Sequence, residues 1–122
     1  MMLSSLLKSE LRAARVTEVA PGEGDGVSID HDLMDAVKIA PFERVLVANA
    51  ANGKRCETHA SPAARGSGTV SLRGAASHLG VEGDRVTISA FCFSSADGAV
   101  GHRPLVLALD ERNRPVGGLR EM

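Results

Sequence analysis

Polar and apolar residues alternate over several short stretches of the chain, a pattern typical of β-strands with one buried face. In the clearest stretch, Arg85–Phe93, the residues Val86, Ile88 and Ala90 fall on one face. Arg44–Asn49 is almost continuously apolar, which predicts a buried strand. The pattern therefore predicts a mainly β protein, a small barrel or sandwich, with strands near 15–20, 27–30, 44–49, 54–60, 69–72, 85–93 and 105–110.

Two short helices are expected between these strands. Asp30 can cap a helix that carries the apolar residues Leu33 and Val37 at helical spacing. A single helical turn is expected over residues 75–80, where Gly80 can end it. Both elements are short, so the strands contribute most of the core.

Turn and helix-breaking residues set the remaining boundaries. The pair Asn52-Gly53 is the strongest hairpin signal in the chain. Pro62 is expected to end the strand that returns from this hairpin, because proline lacks a backbone donor. Residues 4–14 fit either a strand or a short helix, and residues 117–122 are expected to form a loose tail.

Composition excludes several classes of function. The 122 residues suggest one domain, and the net charge of −1, without a basic block, argues against a nucleic acid partner. No apolar run approaches the ~20 residues of a membrane helix, and the start lacks a signal-peptide pattern, so no membrane partner and a cytoplasmic location are expected. The two cysteines and four histidines show no spacing typical of a disulfide framework or a metal site.

A glycine-rich segment, Pro21–Asp30, lies between two predicted strands and has three glycines within five residues. Glycine adopts positive φ angles without steric cost, so a tight exposed turn is the simplest interpretation. A more specific interpretation depends on Gly26.

Several short segments, spread over almost the whole chain, occur in a distinctive order. They are Arg15-Val16-Thr17, Ile29-Asp30, Leu33-Met34-Asp35-Ala36, Asn52-Gly53-Lys54-Arg55, Arg65-Gly66-Ser67-Gly68, Gly74-Ala75-Ala76, Gly83-Asp84 and Arg103-Pro104. In this order the chain resembles the pyruvoyl-dependent aspartate 1-decarboxylase family. The resemblance implies a small double-psi β-barrel, assembled as a homotetramer with active sites between subunits.

The resemblance also implies a pyruvoyl cofactor, which this family makes from its own backbone at a Gly-Ser bond. The register from Ile29 places Asp25 and Gly26 at that former processing site. Gly26 has no β-carbon that could carry the required oxygen, and Ser28 lies two positions late. We therefore expect no self-cleavage, no pyruvoyl and no other cofactor.

Other positions of the family's site are assigned by the same register. Arg55 matches the arginine that binds the substrate carboxylate, and Thr58 matches the threonine beside the processing site. His59 replaces a tyrosine proton donor, Glu10 replaces a lysine, and Arg73 replaces an asparagine. This gives His59, Glu10 and Thr58 as candidate catalytic residues, with Arg55 and Arg73 as candidate carboxylate ligands.

Arg12 and the segment Gly74-Ala75-Ala76 complete the candidate substrate-binding set. Each candidate also has an ordinary structural interpretation. The arginines and Glu10 could be solvated surface charges, and His59 could be a partly buried, hydrogen-bonded histidine.

The sequence leaves three functions open. The first is a cofactor-independent enzyme that uses acid–base chemistry on a small amino acid or carboxylate, in an isomerisation, cyclisation, elimination or decarboxylation. The second is a non-catalytic metabolite-binding or accessory subunit. The third is a true aspartate decarboxylase that is processed unusually near Ser28.

Overall fold

The computed structural model describes all 122 residues and is mainly β, as predicted. The helical elements are α1 (His31–Ala36), a 3₁₀ helix (Gly74–Leu79) and α2 (Ala96–Ala99). None of these helices has the length and apolar character needed to cross a membrane. The strands are β1 (Ser4–Arg15), β2 (Glu18–Ala20), β3 (Gly26–Asp30), β4 (Arg44–Asn49), β5 (Arg55–Ala63), β6 (Val70–Arg73), β7 (Arg85–Ser94), β8 (Leu105–Leu109) and β9 (Pro115–Glu121).

The nine strands form one mixed sheet in the order β2-β6-β3-β5-β4-β7-β1-β8-β9. Strands from both halves of this order contribute to a single core of 21 buried residues, including Ile29 of β3 and Leu107 of β8. A flat sheet could not bring these strands around one core, so the sheet curls on itself. This architecture confirms the prediction of a small β-barrel with short helices.

Asp30 caps α1, as predicted, and also joins a second segment of chain. Its Oδ1 atom accepts hydrogen bonds from the backbone N–H groups of Asp32 (2.9 Å) and Gly66 (3.0 Å), and its Oδ2 atom accepts one from Gly68 (2.9 Å). The residue is only 1% exposed. The start of α1 and the 66–68 loop therefore share one buried carboxylate.

Two boundaries differ from the sequence prediction. Pro62 does not end β5, because β5 changes partner: Arg55–His59 pairs with β4, whereas Ala60–Ala63 pairs with β3. The β4–β5 pairing ends at His59, so Pro62 has no β4 partner that would need a backbone N–H donor from it. The tail predicted to be loose instead forms most of β9, an exposed edge strand that pairs with β8.

Asn113 connects the turn before β9 to the rest of the barrel, and its removal is expected to destabilise the fold. Its side chain accepts from the N–H of Arg15 (2.7 Å) and donates to the carbonyls of Arg15 (2.8 Å) and Gly68 (2.9 Å). Because Asn113 is 1% exposed, Asn113→Ala should lower the free energy of unfolding by about 2–3 kcal/mol in urea titrations. Arg112→Ala, in the same exposed turn, is the control, and an equal loss in both variants would contradict the assignment.

Candidate functional site

Gly26 begins β3 at the end of the glycine-rich loop, with a φ angle of +81°. A β-carbon at this position would lie under 3.0 Å from the carbonyl oxygen of His59 and 3.2 Å from His59 Nε2. Asp25 closes the loop locally, since its Oδ1 accepts from the Gly26 N–H at 2.9 Å. Only glycine fits here without a shift of the neighbouring strand, and the His59 imidazole lies directly beside it.

The 3₁₀ helix packs its first residue against the same loop. A β-carbon on Gly74 would lie 2.7 Å from the Gly24 carbonyl oxygen and 3.0 Å from Asp25 Oδ1. Within this segment Ala76 is buried, whereas Ala75 is exposed. The predicted segment Gly74-Ala75-Ala76 therefore lies next to the former processing site, with its backbone in contact with the loop.

Arg73 also lies at this loop, opposite Gly26 in the β3–β6 register. Its Nε donates to Ser71 Oγ at 3.3 Å, and its guanidinium lies 3.5 Å from a Glu18 carboxylate oxygen. Its side chain remains one-third exposed. We refer to Gly26, His59, Arg73 and Gly74 together as the Gly26 cluster.

The residues of β5 divide between its two faces as strand alternation predicts. Cys56 packs against the core, and Thr58 lies opposite the buried Val45, which places both on the inner face. Burial raises the pKa of the Cys56 thiol, and the nearby Asp25 carboxylate raises this pKa further. A protonated, partly buried thiol is a poor nucleophile, so the Cys56 side chain is not proposed as a catalytic group.

Arg55 shares the outer face with His59 but is not close to it. The two residues are four positions apart on one strand, which corresponds to about 13 Å. The Arg55 side chain is exposed and takes part in no hydrogen bond or salt bridge of the structure. A single chain thus offers an unpaired guanidinium at one end of the strand and an imidazole at the other.

Glu10 is also far from His59 within one chain. Glu10 lies opposite Ser89 of β7, which lies opposite Leu46 of β4, which lies opposite Glu57 of β5. Residues directly opposite in a ladder share a face, so Glu10 is on the outer face, roughly 14 Å across the sheet from β5.

The Glu10 carboxylate is already engaged by neighbours. One oxygen lies 3.2 Å from the exposed Arg12 guanidinium, and the other accepts from Ser89 Oγ at 3.3 Å. Arg55 is on β5, and strands β4 and β7 separate it from this Glu10–Arg12 pair on β1. The predicted site residues therefore lie in three separate places on one chain, which are the Gly26 cluster, Arg55 and the Glu10–Arg12 pair.

Two features of this region were not predicted from the sequence. The Phe42 ring centroid lies 6.4 Å from that of His59. A cavity of about 270 Å³ opens elsewhere on the outer face, beside the Arg44–Glu57 ion pair and the side chains of Phe91 and Phe93. The alternation of Phe91 and Phe93 was a sequence signal for this surface, but no pattern in the sequence singled out Phe42.

Comparison with known proteins identifies relatives of this chain. The family model described as aspartate decarboxylase matches residues 2–116. The aspartate 1-decarboxylase of Hyphomonas neptunium is 44% identical over 112 residues, covering 92% of this chain and 95% of that protein. The aspartate 1-decarboxylases of Bacillus licheniformis and Bacillus subtilis are 43% and 39% identical, over 92% and 93% of this chain and 88% and 89% of their own lengths.

These matches contradict one of our expectations. We expected no cofactor, but aspartate 1-decarboxylation is the pyruvoyl-dependent activity to which the resemblance pointed, and the matched family carries its name. The family therefore points to a pyruvoyl cofactor, and the expectation that none is involved was wrong. That expectation was based on one residue, Gly26, whereas the similarity to the family extends over almost the whole chain.

The local residues nevertheless do not fit that group in the way the family forms it. Gly26 lacks the β-carbon and oxygen from which a pyruvoyl could be made. Ser28 carries the only hydroxyl among residues 21–30, but it is 7% exposed in β3 and its Oγ lies 3.1 Å from Ser61 Oγ. The roles considered below therefore belong to the chain's own side chains.

Proposed function

Because the chain belongs to the aspartate decarboxylase family, we propose that it binds a small amino acid or related small carboxylate in a site shared between two copies of the chain. The separation of the Gly26 cluster from Arg55 and from the Glu10–Arg12 pair supports a shared site. A neighbouring copy could bring its Arg55 or its Glu10–Arg12 pair to the first copy's Gly26 cluster, so that residues of two copies contact one ligand. The relatives' name makes L-aspartate the first ligand to test.

Arg55 is proposed to bind the ligand carboxylate. Its guanidinium is exposed and unpaired, whereas Arg12 and Arg73 each have a carboxylate neighbour. A guanidinium can donate two parallel hydrogen bonds to a carboxylate, which fixes its orientation as well as its position. Arg73, beside Gly26, is proposed as a second contact for the ligand's negative charge. The backbone of Gly74 and Ala75 is proposed to form one wall of the ligand site.

His59 is proposed to transfer a proton at the ligand. The observation that carries this proposal is the position of the His59 imidazole, whose Nε2 lies 3.2 Å from where a Gly26 β-carbon would be. Histidine can donate or accept a proton near neutral pH. The proposed reaction is lyase-type chemistry at the carbon that bears the carboxylate, and Glu10 of a neighbouring copy is the second proton-transfer candidate.

Thr58 remains a predicted catalytic residue, but it does not lie on the same face of β5 as His59. Its side chain lies on the inner face of β5, beneath His59 rather than beside it. We propose that Thr58 interacts with the backbone of the Gly26 cluster and makes no direct contact with the ligand.

A non-catalytic binding subunit is the second candidate function. The absence of a hydroxyl at Gly26 favours it, since a protein that only binds a carboxylate needs Arg55 and no chemistry at residue 26. The two candidates differ in one measurable respect, which is product formation from a bound amino acid.

Replacing Arg55 should weaken carboxylate binding. By isothermal titration calorimetry with L-aspartate or succinate, Arg55→Ala is expected to raise Kd by about 10- to 100-fold, because a charge-assisted pair is lost. Arg55→Lys should lie between the wild type and Arg55→Ala, since lysine keeps the charge but loses the two parallel bonds. Each preparation is characterised by intact mass, so that the species titrated is known.

Arg112→Ala removes an exposed arginine that is not one of the candidate site residues and is the matched control. An Arg112→Ala effect equal to that of Arg55→Ala would show a nonspecific charge effect and contradict the assignment. Turnover is followed as amine product and CO₂ release. Loss of turnover in His59→Gln with Kd unchanged supports the catalytic proposal, whereas binding without turnover by the wild type supports the binding subunit.

A further inference from the structure

Phe42 has a backbone conformation that its side chain does not favour. Its φ angle is +68°, in the left-handed region where glycine and asparagine are the common residues. Burial of the side chain does not offset this conformational cost, because the residue is 73% exposed. Neither local conformational preference nor burial accounts for a phenylalanine here.

The turn that carries Phe42 is nevertheless well anchored. The Phe42 N–H donates to the Ala60 carbonyl at 2.6 Å, and the Ala60 N–H donates to the Glu43 carbonyl at 2.9 Å. The Glu43 side chain accepts from the Ala40 N–H at 2.9 Å and forms a salt bridge with Lys8 at 2.7 Å. Hydrogen bonds and a salt bridge therefore hold the turn that carries the Phe42 ring in place.

The position of this ring relates it to the Gly26 cluster. Its centroid lies 6.4 Å from that of the His59 ring, at an interplanar angle of 42°. The protein has only three aromatic residues of the Phe, Tyr and Trp types, and the other two lie on β7. Phe42 is therefore the one phenylalanine ring that the structure places beside His59, where a ligand that contacts the imidazole would meet it.

We propose that Phe42 is a specificity-determining residue that contacts an apolar substituent of the ligand beside its carboxylate. This inference builds on the proposed carboxylate site. It assigns the ligand to the class of small carboxylates that carry a hydrocarbon group, in preference to unsubstituted dicarboxylates. An exposed aromatic face stabilises such a group by removing both apolar surfaces from water.

The test compares two dicarboxylates that differ only in an apolar substituent, succinate and phenylsuccinate. Titration calorimetry on the wild type is expected to give a Kd for phenylsuccinate about tenfold or more below that for succinate, as burial of apolar surface of this size predicts. In Phe42→Asn this ratio should fall to near one while the Kd for succinate is little changed. Asparagine tolerates the left-handed conformation, so this variant is expected to fold.

Phe42→Leu is the second variant, because leucine keeps apolar bulk and should retain part of the preference. An unchanged Kd ratio in Phe42→Asn would overturn the inference and leave the proposed carboxylate site intact. Failure of the wild type to bind either dicarboxylate would overturn both. Light scattering gives the oligomeric state of each variant, and dissociation of Phe42→Asn would overturn the inference by showing that the ring contacts another subunit instead.

Discussion

Gly26→Ala is expected to lower the free energy of unfolding by roughly 2–5 kcal/mol, as the sum of a left-handed backbone cost and an overpacking cost. The first cost arises because φ is +81° at this residue. The second arises because the new methyl group would press on the backbone of His59, which cannot rotate away as the end of a side chain could. Urea denaturation followed by circular dichroism measures the loss.

Gly53→Ala separates these two costs. Gly53 has a similar φ angle of +74°, but a β-carbon there would meet nothing within 4 Å. Its substitution should therefore show the conformational cost alone, about 1–2 kcal/mol. If Gly26→Ala is no more destabilising than Gly53→Ala, the close packing of β5 on Gly26 is contradicted, and with it the placement of His59 in the candidate site.

Asp30→Ala is expected to cost about 3–4 kcal/mol, because three backbone N–H groups lose a charged acceptor in a buried setting. Asp30→Asn keeps one carbonyl acceptor and should cost less, about 2 kcal/mol. The same urea titrations measure both variants. The expected loss reflects the two segments that the carboxylate joins, the start of α1 and the 66–68 loop.

Asp32→Ala is the matched control for Asp30. Asp32 is exposed, and its partner Arg65 also pairs with Asp35, so little should change. A loss for Asp32→Ala as large as that for Asp30→Ala would mean that general charge balance, rather than the buried hydrogen bonds, stabilises this region.

Much of the fold followed from local patterns in the sequence. The alternation in β7, the apolar run of β4 and the Asp30 cap of α1 were each predicted and are each present. These features depend on side-chain periodicity and short-range hydrogen bonding, which the sequence shows directly. The course of β5 through Pro62 did not follow, because it depends on which strands become neighbours after folding.

The sequence shows which candidate site residues share a face of a strand, but it does not show the distances between residues on different strands. Strand alternation puts Arg55 and His59 on one side of β5, yet it carries no information on what lies across the sheet from each. Glu10 is separated from them by two intervening strands, and that order is set by long-range pairing. The position of Phe42 beside His59 likewise depends on how one turn packs on a distant strand.

The edge strand β9 has a consequence for the protein at high concentration. An uncovered edge can recruit a like strand from another molecule and start uncontrolled polymerisation. Two features oppose this outcome: the pairing with β8 is interrupted between Val106 and Ala108, and the outer end of β9 carries the charges of Arg120 and Glu121. The chain can therefore expose a seven-residue edge and still resist the fibrous growth that a flat, uncharged edge would invite.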